Sequence, residues 1–212
     1  MTLVPRLGWC LCACLCAFVA ACVPRGDPAL TGPFKDDFER SELGPLWRST
    51  GGAYQISDGK LRIRGARNKP LWLKRSLPRN ARFEFDVRSD SPEGDIKVEL
   101  YGDGVSKATD VSYTATSYVV IFGGWNNSKN VLARLDEHGG DRVEGASRKV
   151  EKGRTYHMKI ERQGDTISAW VDGTLLVKMT DPDPLSGRGH DHFAFNNWQS
   201  DLWFDNLVIT PL

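Results

Sequence analysis

From residue 34 onward, apolar side chains recur at every second position between Gly, Asn, Asp and Pro punctuation, and no segment carries a long amphipathic helical stripe. The pattern predicts strands. In Ala81–Ser89, Phe83, Phe85 and Val87 are spaced to face a core, while Arg82, Glu84, Asp86 and Arg88 face away. Asp95–Tyr101 repeats this with Ile96, Val98 and Leu100 set against Lys97, Glu99 and Tyr101. Tyr118–Phe122 is apolar on both sides and reads as a central strand. Tyr156, Met158 and Ile160 alternate with His157, Lys159 and Glu161. Gln163-Gly164-Asp165 then turns the chain into Thr166–Val171, and Asp172-Gly173 reverses it into Thr174–Met179. Tyr54–Ile56 and Lys60–Ile63 flank Asp58-Gly59 as another hairpin, and Asp201–Thr210 closes the chain with a register shift near Asn206. Val131–Leu135 suits one face of a short helix (Val131, Leu132, Leu135) or a strand (Val131, Ala133, Leu135 inward), and the strand is preferred. About a dozen short strands and almost no helix imply an all-β fold, two packed antiparallel sheets forming a sandwich.

The chain has 212 residues, with 28 Lys plus Arg against 27 Asp plus Glu. That balance excludes a protein that binds nucleic acid by spread positive charge. Residues 1–21 hold one charge, Arg6, and four of the five cysteines, and their apolar run has the length of a signal-peptide core. Val19-Ala20-Ala21-Cys22 resembles the bacterial lipobox, which makes Cys22 the expected lipidation site, its thiol being the nucleophile. The expected organisation is a lipoprotein signal peptide over 1–21, a lipidated Cys and tether over 22–33, and one domain over 34–212. Lipid chains place that domain at a membrane of the bacterial cell envelope, and Val23 after the cysteine favours the outer membrane. Only Cys22 remains after the leader, so the domain has no disulfide of its own and rests on its core.

Several segments together carry a family resemblance. Phe34-Lys35-Asp36-Asp37-Phe38-Glu39-Arg40, Trp47, the Ile56–Leu61 turn, Trp170-Val171-Asp172-Gly173 and the closing Phe204–Ile209 resemble the concanavalin A-like jelly-roll superfamily. The resemblance is nearest the branch of exo-inulinase-type sandwiches, laminarinase-like folds and the domain-of-unknown-function 1080 group, the 3-keto-disaccharide hydrolases. It implies a jelly-roll sandwich that binds or cuts carbohydrate, although architecture alone does not assign function. It also implies a structural calcium held by Asp36 or Asp37 with Asp205, brought together if the terminal strands pair; oxygen ligands suit that ion. No other cofactor is expected.

Sugars require indole faces for C–H patches and paired donors and acceptors for hydroxyls. Phe193 and Phe195 point to the core, which sends Asn196 and Trp198 to the opposite face. Arg134, Asp136 and His138 leave the core together if Val131–Leu135 is a strand. Trp125, Asn126 and Asn127 follow a flexible Gly123-Gly124 hinge, and Trp72 and Trp170 add aromatics off the core side. The expected ligand set is Trp72, Trp125, Asn126, Asn127, Arg134, Asn196 and Trp198, on a concave sheet face that takes a glycan or another polyhydroxylated ligand. For catalysis, Glu137 and His138 pair a carboxylate with an imidazole, but neighbours on an extended strand diverge unless Gly139-Gly140 bends the chain. Glu84 and Asp86 echo a laminarinase-type Glu-x-Asp-x-x-Glu, yet Arg88 and Ser89 leave it without the third acid, so the pair reads as a solvated face. His190 and His192 have no evident third metal ligand. The function expected is a monomeric, membrane-anchored carbohydrate-binding lipoprotein. A glycoside-cleaving enzyme and a cell-envelope interaction scaffold are the alternatives.

Overall fold

A computed structural model describes residues 26–109 and 112–212. The leader and Cys22 lie outside the described residues. The strands run in chain order as β1 (Phe34–Asp36), β2 (Trp47–Ser49), β3 (Tyr54–Ser57), β4 (Lys60–Arg64), β5 (Leu71–Leu73), β6 (Ala81–Ser89), β7 (Ile96–Gly102) and β8 (Thr114–Gly123). After a one-turn segment, Gly124–Asn127, come β9 (Lys129–Asp136), β10 (Val143–Glu144), β11 (Thr155–Gln163), β12 (Thr166–Val171), β13 (Thr174–Thr180), β14 (His192–Asn196) and β15 (Asp201–Pro211). All pair antiparallel. One sheet has the order β13-β12-β11-β6-β15-β4-β3, with β1 also on β15, and the other the order β10-β9-β8-β7-β14-β5-β2. This is the expected sandwich.

The alternating aromatics make the seam between the sheets. Phe83 and Phe85 of β6 meet Phe193 and Phe195 of β14, with ring centroids 5.4 Å apart for Phe83–Phe193 and 5.7 Å for Phe85–Phe195. All four are fully buried, and each such burial contributes about 1.5–3 kcal/mol. The register shift expected near Asn206 falls between Asp205 and Val208, where Asn206 has φ 52°.

The terminal strands do pair, Asp36 opposite Leu207, but the carboxylates expected to share calcium go separate ways. Asp36 is buried and accepts from Trp47 Nε1 at 2.9 Å, Arg40 Nη2 at 2.9 Å and Phe38 N at 3.0 Å. Asp205 pairs with Lys60, and Asp37 is exposed and accepts from Glu39 N. Asp36 and Asp205 are engaged by protein donors and Asp37 stands exposed, so the three are not gathered as a calcium ligand set among the described residues. Burial alone raises the Asp36 pKa, but the Arg40 guanidinium and Trp47 N–H outweigh it and hold the carboxyl below its ordinary range.

The tether is shorter than expected. From Asp27 onward the chain is strapped to the domain: Arg48 donates to both Asp27 oxygens at 2.9 and 3.1 Å, and Pro28 and Leu30 bond the backbone of Ser76.

β9 is a strand, but its parity is reversed. Leu132 enters the main core, while Val131 and Ala133 join Val119 and Ile121 in a small apolar cluster on the outer face of the seven-stranded sheet. Arg134 therefore shares the inner side with its partner Tyr118 and reaches Asp181 at 2.9 Å. The cause is that both faces of this strand are apolar, so alternation carries no sign.

Asp36→Ala is expected to destabilise the fold by about 2 kcal/mol, because it strands the Trp47 N–H and the Arg40 charge. A lowered folded pKa means that the stabilisation is complete above the unfolded value of 3.8 and disappears as pH falls through the folded value. Denaturant melts of both proteins across pH should show the gap closing only in that acid range.

Candidate functional site

On β7, Ile96, Val98 and Leu100 pack inward, and Lys97 and Glu99 point to the other face of the sheet. That face is not open to water. Their partners across to β8 are Ile121 and Val119, and loops cover them, leaving Lys97 at 2% and Glu99 at 3% exposure. A buried ammonium requires anions and acceptors around it. Lys97 Nζ contacts Glu137 Oε2 at 2.7 Å and donates to Asn68 Oδ1 at 2.8 Å. Glu99 accepts from Ser117 Oγ at 2.6 Å and Asn196 Nδ2 at 2.7 Å. Asp95, just before β7 at φ 57°, accepts from Trp198 N.

Burial pushes the Asp95 carboxyl up, and Lys97 and the Trp198 N–H only partly offset it. Burial likewise raises Glu99 despite its two hydrogen bonds. For Lys97 burial disfavours the charge, but Asp95, Glu137 and Glu99 outweigh it and hold the ammonium above its ordinary range. The group thus has a proton-retaining carboxyl beside an ion pair.

A pocket of about 200 Å³ opens above these groups, with Asp95, Lys97 and Glu137 in its lining. Its rim is aromatic. Tyr113 and His138 lie 4.1 Å apart by ring centroid, Trp125 and His138 5.2 Å, and Tyr113 and Trp198 6.1 Å. Arg142 covers the Trp125 ring at 5.2 Å and Arg67 the Trp198 ring at 5.8 Å. Trp125 is mounted on a turn of inverted hand: Trp125, Asn126 and Asn127 have φ of 50°, 55° and 60°. Such torsions are sparsely populated for non-glycine residues and need outside support. Asn127 supplies it. Its side chain accepts from Val150 N at 2.8 Å and donates to Val150 O at 2.7 Å and Pro92 O at 3.1 Å. Three residues on, the Asn130 side chain accepts from Gly123 N at 2.8 Å and donates to Ala146 O at 2.6 Å and Arg148 O at 2.9 Å.

Glu137 and His138 converge where an extended strand would have split them. Leu135 has φ 65°, and Asp136 caps a turn by accepting from His138 N at 2.8 Å through its side chain and Gly139 N at 2.9 Å through its carbonyl. Both side chains then face the pocket, with His138 Nε2 3.9 Å from Glu137 Oε1.

Of the ligand residues expected, Trp125, Asn126 and Trp198 line the pocket. Asn196 lies beneath it as a Glu99 donor, and Asn127 is the staple just described. Two expectations are corrected. Trp72 has the expected parity but is fully buried beneath the loop after β7, donating to Ser106 O at 2.9 Å. Arg134 is on the inner side, away from the pocket. Asp95, Lys97 and Tyr113 were missed as site residues. The available signal was that β7 lies beside strands apolar on both faces, which implies a covered surface for Lys97 and Glu99. Glu84 and Asp86 lie on the outer face of the other sheet, where His157 Nδ1 meets Asp86 Oδ1 at 2.9 Å. His190 Nδ1 is 2.8 Å from Thr116 O, and among the described residues no cluster of three or more acidic, His or Cys side chains is placed to hold a metal.

Fold and site together define a jelly-roll β-sandwich with a small acid-base pocket on one sheet's outer face. The family model for the 3-keto-alpha-glucoside-1,2-lyase-like domain matches residues 34–210, and the chain belongs to that family. An extracellular exo-alpha-L-arabinofuranosidase of Streptomyces chartreusis is 23% identical over 150 residues, covering 70% of this chain but 17% of that enzyme. The chain therefore spans about one-sixth of that relative's length. The carbohydrate-binding module CBM66 of Bacillus subtilis superposes with a TM-score of 0.55 at 16% identity, over 80% of this chain and 98% of the module. A Bacillus subtilis protein of unknown function with a galectin-like fold gives 0.62 at 13% identity, over 84% and 94% of the two chains. These likenesses show the shared fold.

Lys97→Met is expected to destabilise the protein by about 3–5 kcal/mol at neutral pH, since three carboxylates lose their buried counter-charge. The raised Lys97 pKa means its stabilisation is present below the unfolded lysine value and is lost only as pH rises through the folded one. The deficit should narrow in acid, where Asp95 and Glu99 protonate first, as measured by urea melts at neutral and acidic pH.

Proposed function

We propose that the domain binds a glycoside at this pocket and cleaves it by proton transfer, as the family's name suggests for 3-keto glycosides. The supporting observation is one pocket holding two carboxyl groups in opposed environments, Asp95 pushed toward its protonated form and Glu137 set against an ammonium, beneath an aromatic rim. Opposed environments are how acid and base roles are divided between like groups. In this reading a ketone at C3 acidifies the C2–H of the bound ring. Glu137 accepts that proton, a C1=C2 double bond forms, and the C1–O bond breaks with Asp95 protonating the departing oxygen. Lys97 positions Glu137. Trp125 and Trp198 flank the apolar faces of the ring, and Asn126 meets hydroxyls. The volume of about 200 Å³ is small beside the roughly 300–1,000 Å³ of drug-sized sites and suits one terminal ring.

The chain is further read as a lipoprotein anchored in the cell envelope through Cys22, with outer-membrane sorting, and as a monomer.

The test is product analysis of the purified protein on 3-keto glycosides and on their unoxidised parents. An unsaturated keto sugar and a released aglycone are expected from the former. Asp95→Asn keeps an acceptor for Trp198 N–H and Glu137→Gln keeps the shape of its site, and each should lower kcat by about 10²–10⁴-fold with little change in KM. Asp95→Asn should also melt higher than the native protein at neutral pH. A carboxylate with a raised folded pKa opposes folding when ionised, so that advantage should shrink once pH falls below the folded value and vanish near the unfolded value of 3.8. Saturable binding without turnover would replace the enzyme reading with a carbohydrate-binding module, the role suggested by the CBM66 likeness.

A further inference from the structure

The strap at Asp27 fixes where the N-terminal segment leaves the domain. It lies at one end of the sandwich, just past the end of β7, where Arg48 Nη1 donates to Gly104 O at 2.7 Å while pairing with Asp27. Asp191 N bonds Gly102 O at 3.0 Å and Leu77 N bonds Asp191 O at 2.6 Å, so the segments around 74–77, 102–107 and 187–191 share this end with residues 27–30.

The charge left outside ion pairs there is basic. Lys107 and Arg188 are exposed and Lys74 is partly so, and no ion pair engages them among the described residues. The acids nearby are engaged locally. Asp27 is held by Arg48. Asp103 accepts from Val105 N at 2.9 Å, Ser106 N at 2.8 Å and Ser106 Oγ. Asp191 Oδ1 lies 2.8 Å from His192 Nδ1. Two residues before Lys107 stands Val105, one of three large apolar residues left exposed among the described residues, at 59%.

We infer that this end of the sandwich rests on an anionic phospholipid surface, with Lys74, Lys107 and Arg188 over the headgroups and Val105 at the point of contact. The inference rests on the lipid-anchor reading of Cys22. Four residues lie between Cys22 and the fixed Asp27, and the five steps along the chain reach at most about 18 Å. A chain that short keeps this end within about two Debye lengths of the lipid, where basic side chains and anionic headgroups attract. A basic patch beside a lipid chain is also the second signal that holds a domain down on a bilayer. The pocket residues Asp95, Trp125 and Trp198 then lie farther from the bilayer, at the start of β7, about 20 Å along the strand from its far end.

The test uses the mature full-length protein isolated from membranes and reconstituted in phosphatidylcholine vesicles with and without phosphatidylglycerol. With Cys22 lipidated, a single introduced thiol can be labelled. Val105→Cys reports on this end, and Lys152→Cys, in the turn before β11, reports on the opposite one. A fluorophore at 105 should be quenched by headgroup-labelled lipid several-fold more than one at 152, and phosphatidylglycerol should strengthen the difference. Lys107→Glu with Arg188→Glu should abolish that strengthening while leaving the melting temperature unchanged. Equal quenching at both positions, stronger quenching at 152, or no response to phosphatidylglycerol would overturn the orientation. Intact mass is measured first: an unmodified Cys22 would overturn the inference through its premise, whereas a lipidated protein with the wrong quenching pattern would overturn the orientation alone.

Discussion

An ammonium group beneath a β-sheet surface survives only inside a shell of anions and acceptors, and the Lys97 shell organises most of what surrounds it. Glu137 comes from the turn after β9, Asp95 from the loop before β7, and Asn68 from the loop before β5. Segments distant in sequence are drawn to one charge. In a low-dielectric setting each member is worth more than it would be in water, and each missing partner is more damaging. Burial is the main reason Asp95 and Glu99 retain protons more readily than exposed acids do, and the nearby Glu137 charge adds to it. Proton chemistry thus follows from a packing requirement.

Around that shell the loops are held by side chains acting as substitutes for backbone. Asn127 and Asn130 both offer an amide to neighbouring main chain, as a further strand would, and they tie the 145–150 segment to the turn that carries Trp125. The rim is consequently built on loops yet positioned by the sheet, the usual division between scaffold and site. Asp36 does comparable work between the sheets, where one carboxylate closes Trp47, Arg40 and the Phe38 backbone together.

Much of the fold was legible because period-two alternation is unambiguous where one face is apolar and the other charged. β6 is the clear case, and the slip at Asn206 was visible as a break in the same rhythm. Legibility failed where both faces are apolar. β9 was recognised as a strand, but its parity was inverted, and Arg134 went with it. Trp72 had the right parity and the wrong exposure, since alternation reports direction and not what lies overhead. Lys97 and Glu99 were likewise read as facing away from the core, with nothing in the pattern to say that their face is covered. Glu137 and His138 were found by chemical type, but their convergence depended on a positive φ at Leu135 and a turn closed by Asp136, neither of which a periodicity argument contains.

The inverted turn under Trp125 limits how this rim can vary. Three successive positions occupy a torsional basin that β-branched residues avoid and that Asn, Asp, His and Gly tolerate best. Isoleucine, valine or threonine would be rejected there by the main chain before any ligand was met. The repertoire of contacts at this edge is therefore filtered by stereochemistry first and by recognition second, so drift among descendants should run through amides, imidazoles and flat rings instead of aliphatic side chains.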